Sequence, residues 1–397
     1  MASRSPIPED VCAERGRFAL WNLGFRPLYL AAGIFAAIAI AAWVAQLAGW
    51  TGSYMPVAGP SWHAHEMVFG YAAPVIVGFL FTAVRNWTGR PTPTGLSLAG
   101  IVGLWLAARL LVPTPWHTLA AAFDTAFLVA AAIGIGRPLV ASGNRRNYFF
   151  IALLLGLGAV NAGFYLATAG EIDFDLSRAV QLGLDLVLFV MAVMGGRVIP
   201  MFTANAIAGS NPRRSRGVER VALGTVLALL AADLLGAPLV LIALVAAAAA
   251  AAHAARLALW RPLRTSGAPI LWILHASYAW IVLHLALRAA AALDLVSLSA
   301  ANHALSVGAI GGLTLGMMTR TARGHTGRPL VASAAEVTAY LLILAAAVVR
   351  VLVPVIAPQH YLTAVVAAGL LWVGAFAVFV VKFWPILTRA RADGRPG

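Results

Sequence analysis

The stretch SWHAHEMVFGY, residues 61–71, places His63, His65 and Glu66 at the start of an apolar run. Imidazole and carboxylate groups ligate metals and carry protons, so this is where chemistry is expected first. A related stretch recurs further on. Residues 65–91, HEMVFGYAAPVIVGFLFTAVRNWTGRP, align without a gap on residues 303–329, HALSVGAIGGLTLGMMTRTARGHTGRP, at an offset of 238 residues. His65 falls on His303, Gly70 on Gly308, Gly78 on Gly316, Arg85 on Arg323, and TGRP on TGRP. On two helices running the same way the histidines lie at equal depth. Such a pair suits the two axial positions of a haem iron. Gly70 and Gly308 remove side-chain bulk near each histidine, as a flat macrocycle or a close helix crossing requires. Interhelical hydrogen bonding or a proton relay is the competing reading of the pair.

Other residues have weaker claims. His63 stands two residues from His65 and points to nearly the opposite side of a helix. With Glu66 one turn on, and His284 from a later run, it makes a candidate copper or zinc set, or else a wet interface. His275 in LWILHASYAW suits a second haem, a proton path or a plain hydrogen bond. Arg197 in GGRVIPMFT suits a haem propionate or another anion, or snorkels to headgroups. Asp185 and Arg178 read as a pair within one helix, while Arg109, Arg288 and Arg350 hold anions or snorkel. His325 reads as structural, and His117, His253 and His360 as interfacial. No CxxCH occurs, so any haem is non-covalent, of the b type. The single cysteine, Cys12, allows no intramolecular disulfide and no thiolate metal site.

These residues sit in a chain that is 61% hydrophobic and 11% charged. Long apolar runs with so little charge specify an all-α polytopic membrane protein. The formal charge of +14 lies in short loops, so it marks orientation in a lipid bilayer rather than nucleic-acid binding. Twelve spans are read, with residues 28–384 as the transmembrane domain between cytoplasmic segments 1–27 and 385–397. The break between the seventh and eighth spans rests on LGAP, residues 235–238. Basic loops alternate with loops nearly free of Arg and Lys, one of which reads EIDFD. Both termini are therefore expected in the cytoplasm of a bacterial inner membrane, with no cleaved signal.

Taken in order, the four motifs HAHEMVFGYAAPVIVGFLFTAVRNWTGRP, GGRVIPMFT, LWILHASYAW and the 303–329 stretch resemble the NnrS family of bacterial membrane proteins. The resemblance covers nearly the whole chain. It implies twelve spans, association with haem and copper, and a link to denitrification and tolerance of nitrosative stress. A weaker topological likeness is to the haem–copper oxidases and nitric oxide reductases, which carry twelve spans in three pseudo-repeats of four. That likeness implies low-spin haem ligands on helices two and ten, where His65 and His303 fall. The sixth and seventh spans here lack histidine, so the likeness does not extend to a binuclear reducing centre. The expected function is haem-mediated binding of nitric oxide or a nitrosylated species, or electron transfer to it from the quinone pool, near the periplasmic face. Whether the chain is an oxidoreductase stays open. A twelve-span secondary transporter, and a membrane metallochaperone or sensor using the outer histidines, are the alternatives.

Overall fold

The computed structural model describes residues 18–51 and 59–395, leaving Cys12 and the basic residues before Phe18 outside the described part. Apolar runs and their breaks give twelve long helices in the described residues. These are α1 (Phe25–Leu47), α2 (Pro60–Thr88), α3 (Gly95–Leu111), α4 (His117–Ala141), α5 (Phe149–Thr168) and α6 (Leu176–Ala206). They continue as α7 (Arg216–Leu235), α8 (Leu239–Leu259), α9 (Pro269–Ala291), α10 (298–325), α11 (Ala334–Ile356) and α12 (Tyr361–Thr388). Nine segments among the described residues are long and apolar enough to cross a membrane; α3 is shorter, and α7 and α10 fall outside that measure.

Local sequence explains the ends. Asp175, Ser215 and Ser297 accept backbone N–H groups at the starts of α6, α7 and α10, and Ser333 with Glu336 forms a capping box on α11. Gly89 closes α2 in the left-handed conformation (φ 63°), which is why TGRP ends that helix. Gly236 (φ 65°) does the same for α7, so LGAP does separate two helices.

Apart from α2 and α3, helices adjacent in sequence pack side by side, and α12 returns to pack on α1. Phe18 bridges Arg389, and Arg26 donates to the Leu387 and Arg389 carbonyls, so the two ends of the described chain meet at one end of the bundle. The windows of α2 and α6 are 89% and 78% buried, against 56% at most for the other spans, which puts these two helices inside the bundle. Both contact α10 or its surroundings, and α10 is itself largely buried.

Two of the inner helices share an irregularity. Glu66–Ala72 of α2 and Ala304–Gly311 of α10 are π-helical, and the two segments begin 238 residues apart, at the offset of the similar stretches. π segments free backbone carbonyls and cluster at functional sites. The freed Gly70 carbonyl accepts the Trp105 indole N–H at 3.0 Å.

Candidate functional site

The starts of α2, α6 and α10 line a cavity of about 770 Å³, with α1, α11 and α12 contributing its other walls. That volume lies in the range of sites for large organic ligands. It reaches from Pro60 to Tyr71 along α2, roughly 17 Å of helix. His63 and His303 face each other inside it, ring centroids 6.3 Å apart and planes 11° from parallel. The Trp43 indole stacks on His63 at 5.1 Å and 8°, which fixes the ring. His303 donates from Nδ1 to the Ser299 carbonyl at 2.7 Å, which leaves the Nε2 lone pair for a ligand. Among the described residues His63 makes no side-chain hydrogen bond. Arg350 also lines the cavity and lies over the Tyr361 ring, with no carboxylate partner among the described residues. The chamber therefore offers two facing imidazoles and one cation within an apolar wall.

His65 is elsewhere. Its Nδ1 lies 2.9 Å from Glu66 Oε1 and its Nε2 2.7 Å from Asn161 Oδ1, so both ring nitrogens are occupied by protein. Arg109 donates to Glu66 Oε2 at 2.5 Å and pairs with Asp124, whose other oxygen accepts from the Tyr165 hydroxyl at 3.1 Å. These groups form a buried polar cluster between α2 and helices α3, α4 and α5. Gly70 makes room for it, since a Cβ there would fall 2.5 Å from Phe35 and 2.8 Å from the Arg109 guanidinium.

The residue beside His303 in the structure is thus His63, while His65 is engaged by Glu66 and Asn161. Matching positions in two similar stretches place residues alike within each local helix group; they need not face one another. The intended helper glycines follow the same pattern. A Cβ on Gly308 would meet the Trp280 ring at 2.3 Å, so Gly308, like Gly70, admits a protein side chain and is no wall of the cavity. The outer copper set is not assembled either. Glu66 is committed to His65 and Arg109, and His284 is buried against α10 with Nδ1 donating to the Ala301 carbonyl. No group of three or more His, Cys, Asp or Glu among the described residues is placed to hold a metal ion.

His275 bonds Thr203 through Nε2 at 2.9 Å, away from the cavity. Arg197 donates to Asn147 at 2.7 Å and lies against Trp87, Phe149 and Phe150, far down α6 from the cavity wall at Leu184. Its neighbour Gly196 leaves space for Arg256, which donates to the Ala192 carbonyl. Arg178 donates to the Asp233 and Leu234 carbonyls, not to Asp185. His253, expected at an interface, is fully buried between Tyr278 and the Ala222 carbonyl. Asp124, Asn161 and Tyr165 were not anticipated, although an acid and an amide inside apolar runs are signals of a buried polar site. Trp43 and Tyr361 carried no such signal.

The family profile for NnrS proteins matches residues 19–391, nearly the whole chain. The chain belongs to the NnrS family. A search of curated proteins gives no match. Membership agrees with a membrane protein related to nitric oxide. The cavity lined by His63 and His303 is a candidate place for a bound group, and the His65 cluster lies outside its lining.

Proposed function

We propose that this chain is a twelve-span inner-membrane haem protein acting in nitric oxide metabolism, with both termini cytoplasmic and the haem held between His63 and His303 near the periplasmic face. The carrying observation is the pair of near-parallel imidazoles, 6.3 Å apart at their centroids, that line one cavity. A haem bound in the cavity would take a ring nitrogen from each histidine. The cavity volume and its mostly apolar wall suit a macrocycle, and Arg350 suits one carboxylate of such a group. Haem bound there would supply one-electron chemistry, with the quinone pool as a source of electrons and nitric oxide or a nitrosylated species as the acceptor or ligand.

The residues of the chain do the rest. Trp43 fixes the His63 ring, and the Ser299 carbonyl fixes the His303 tautomer and raises the basicity of its Nε2. Valine, leucine and aromatic groups supply most of the wall around the pair.

The test is to purify the protein from membranes and record oxidised and reduced absorption spectra with iron and copper analysis. A low-spin haem spectrum is expected in the wild type, lost in both His63→Ala and His303→Ala and retained in His65→Ala. A colourless wild type after growth with haem precursor overturns the proposal. Loss of the spectrum in His65→Ala alone would return the ligand to His65. Copper without haem would assign the facing imidazoles to that ion instead.

A further inference from the structure

A second buried polar group lies beside the cavity, between α6, α7, α9 and α10. Arg288 donates through Nη2 to both carboxylate oxygens of Asp233, at 2.8 and 2.7 Å. Asp185 lies against Asp233, and its two oxygens differ. Oδ1 accepts from Gln181 Nε2 at 3.0 Å, while Oδ2 is buried and receives no donor. Gln181 Oε1 in turn accepts from Asn302 at 3.1 Å, and Asn302 is a cavity wall residue next to His303.

Charge and geometry agree on what this arrangement binds. One guanidinium serves this group: its Nη2 is committed to both oxygens of Asp233, and its buried Nε and Nη1 have no hydrogen-bond partner. A second full negative charge 1% exposed in an apolar bundle has no counter-ion of its own. The other groups facing the site supply none. On α6, Arg178 turns to backbone carbonyls; on α9, His284 gives its Nδ1–H to Ala301; on α10, Asn302 is neutral. The neighbouring face of α2 presents Val68 and Phe69 to Gly183. A neutral carboxylic acid fits instead, since its carbonyl oxygen accepts from Gln181 and a hydroxyl at Oδ2 would have Asp233 as its nearby acceptor.

We propose that Asp185 and Asp233 hold one proton between them, carried on Asp185 Oδ2, and that this proton site is coupled to the cavity through Gln181 and Asn302. The site takes up or yields a single proton when the charge in the cavity changes, and it does not depend on which group fills the cavity.

The experiment is infrared spectroscopy of the purified full chain in lipid nanodiscs at neutral pH, comparing unlabelled protein with protein carrying ¹³C in the aspartate side-chain carboxyl. A label-sensitive carboxylic acid band is expected in the wild type. It should vanish in Asp185→Asn and, separately, in Asp233→Asn, because the remaining carboxylate then faces Arg288 alone. A band that persists in both variants overturns the proposal, and if one variant does not fold the other decides. In Asn302→Ala the band should remain and shift in frequency, as Gln181 loses its anchor. An unshifted band would refute the coupling to the cavity.

Discussion

Replacing Arg109 by methionine removes the one guanidinium that two buried carboxylates share. Its side chain is 3% exposed, and those of Glu66 and Asp124 are 2% and 1% exposed. Methionine fills the stem volume, so the loss is charge and hydrogen bonds more than packing. Breaking a buried ion pair from one side costs about 3–5 kcal/mol, because the partner charge is left uncompensated. His65 stands beside both acids and offsets part of this, which argues for the lower end. At roughly 2–4 °C per kcal/mol for a larger domain, the midpoint should fall by about 6–15 °C. Thermal unfolding in detergent, followed by tryptophan fluorescence, measures it. Arg90→Ala, at an exposed position, serves as the control and should move stability by less than about 0.5 kcal/mol. The triple variant Arg109→Met with Glu66→Gln and Asp124→Asn should recover much of the loss, since no buried charge then lacks a partner. A fall below 2 °C in the single variant, or a triple no more stable than the single, would refute the reasoning.

Gly308→Ala should cost about 1–3 kcal/mol by overpacking, as its Cβ would enter the Trp280 ring, and adding Trp280→Leu should restore the thermal midpoint. Trp43→Ala frees the His63 ring from its stacking partner, so a haem-loaded protein should show a broadened or high-spin spectrum while the unfolding midpoint moves little. Cysteines placed singly at Thr114 and Asp294 should react with an impermeant maleimide added outside spheroplasts, and those at Gly143 and Arg264 only after lysis. The opposite pattern would invert the proposed orientation.

The histidine pair shows where sequence reasoning stops. The separation of His63 from His65 is already forced by helix geometry, because residues two apart point to nearly opposite sides. Which of the two meets His303 depends on how α2 is rotated about its axis. That rotation is set by contacts from other helices: Arg109 of α3, Asp124 of α4 and Asn161 of α5 engage Glu66 and His65 and turn His63 the other way. The π-helical segments that follow His65 and His303 are announced by no residue pattern in either stretch. Asp124 and Asn161 were visible as polar residues in apolar runs, but their partner could not be read from spacing alone.

What the sequence by itself determined was the bilayer, the helices and their order. Those follow from local quantities: apolar run length, glycine and proline breaks, capping residues and the bias of arginines between loops, each readable over a few turns. Membership of the NnrS family was legible for the same reason, through short motifs kept in order. Only the tertiary structure decided which histidines face the cavity, which glycines admit protein rather than a ligand, and which acids share an arginine. Those are properties of helix rotation and depth between segments tens to hundreds of residues apart, set by the packing of all twelve helices at once.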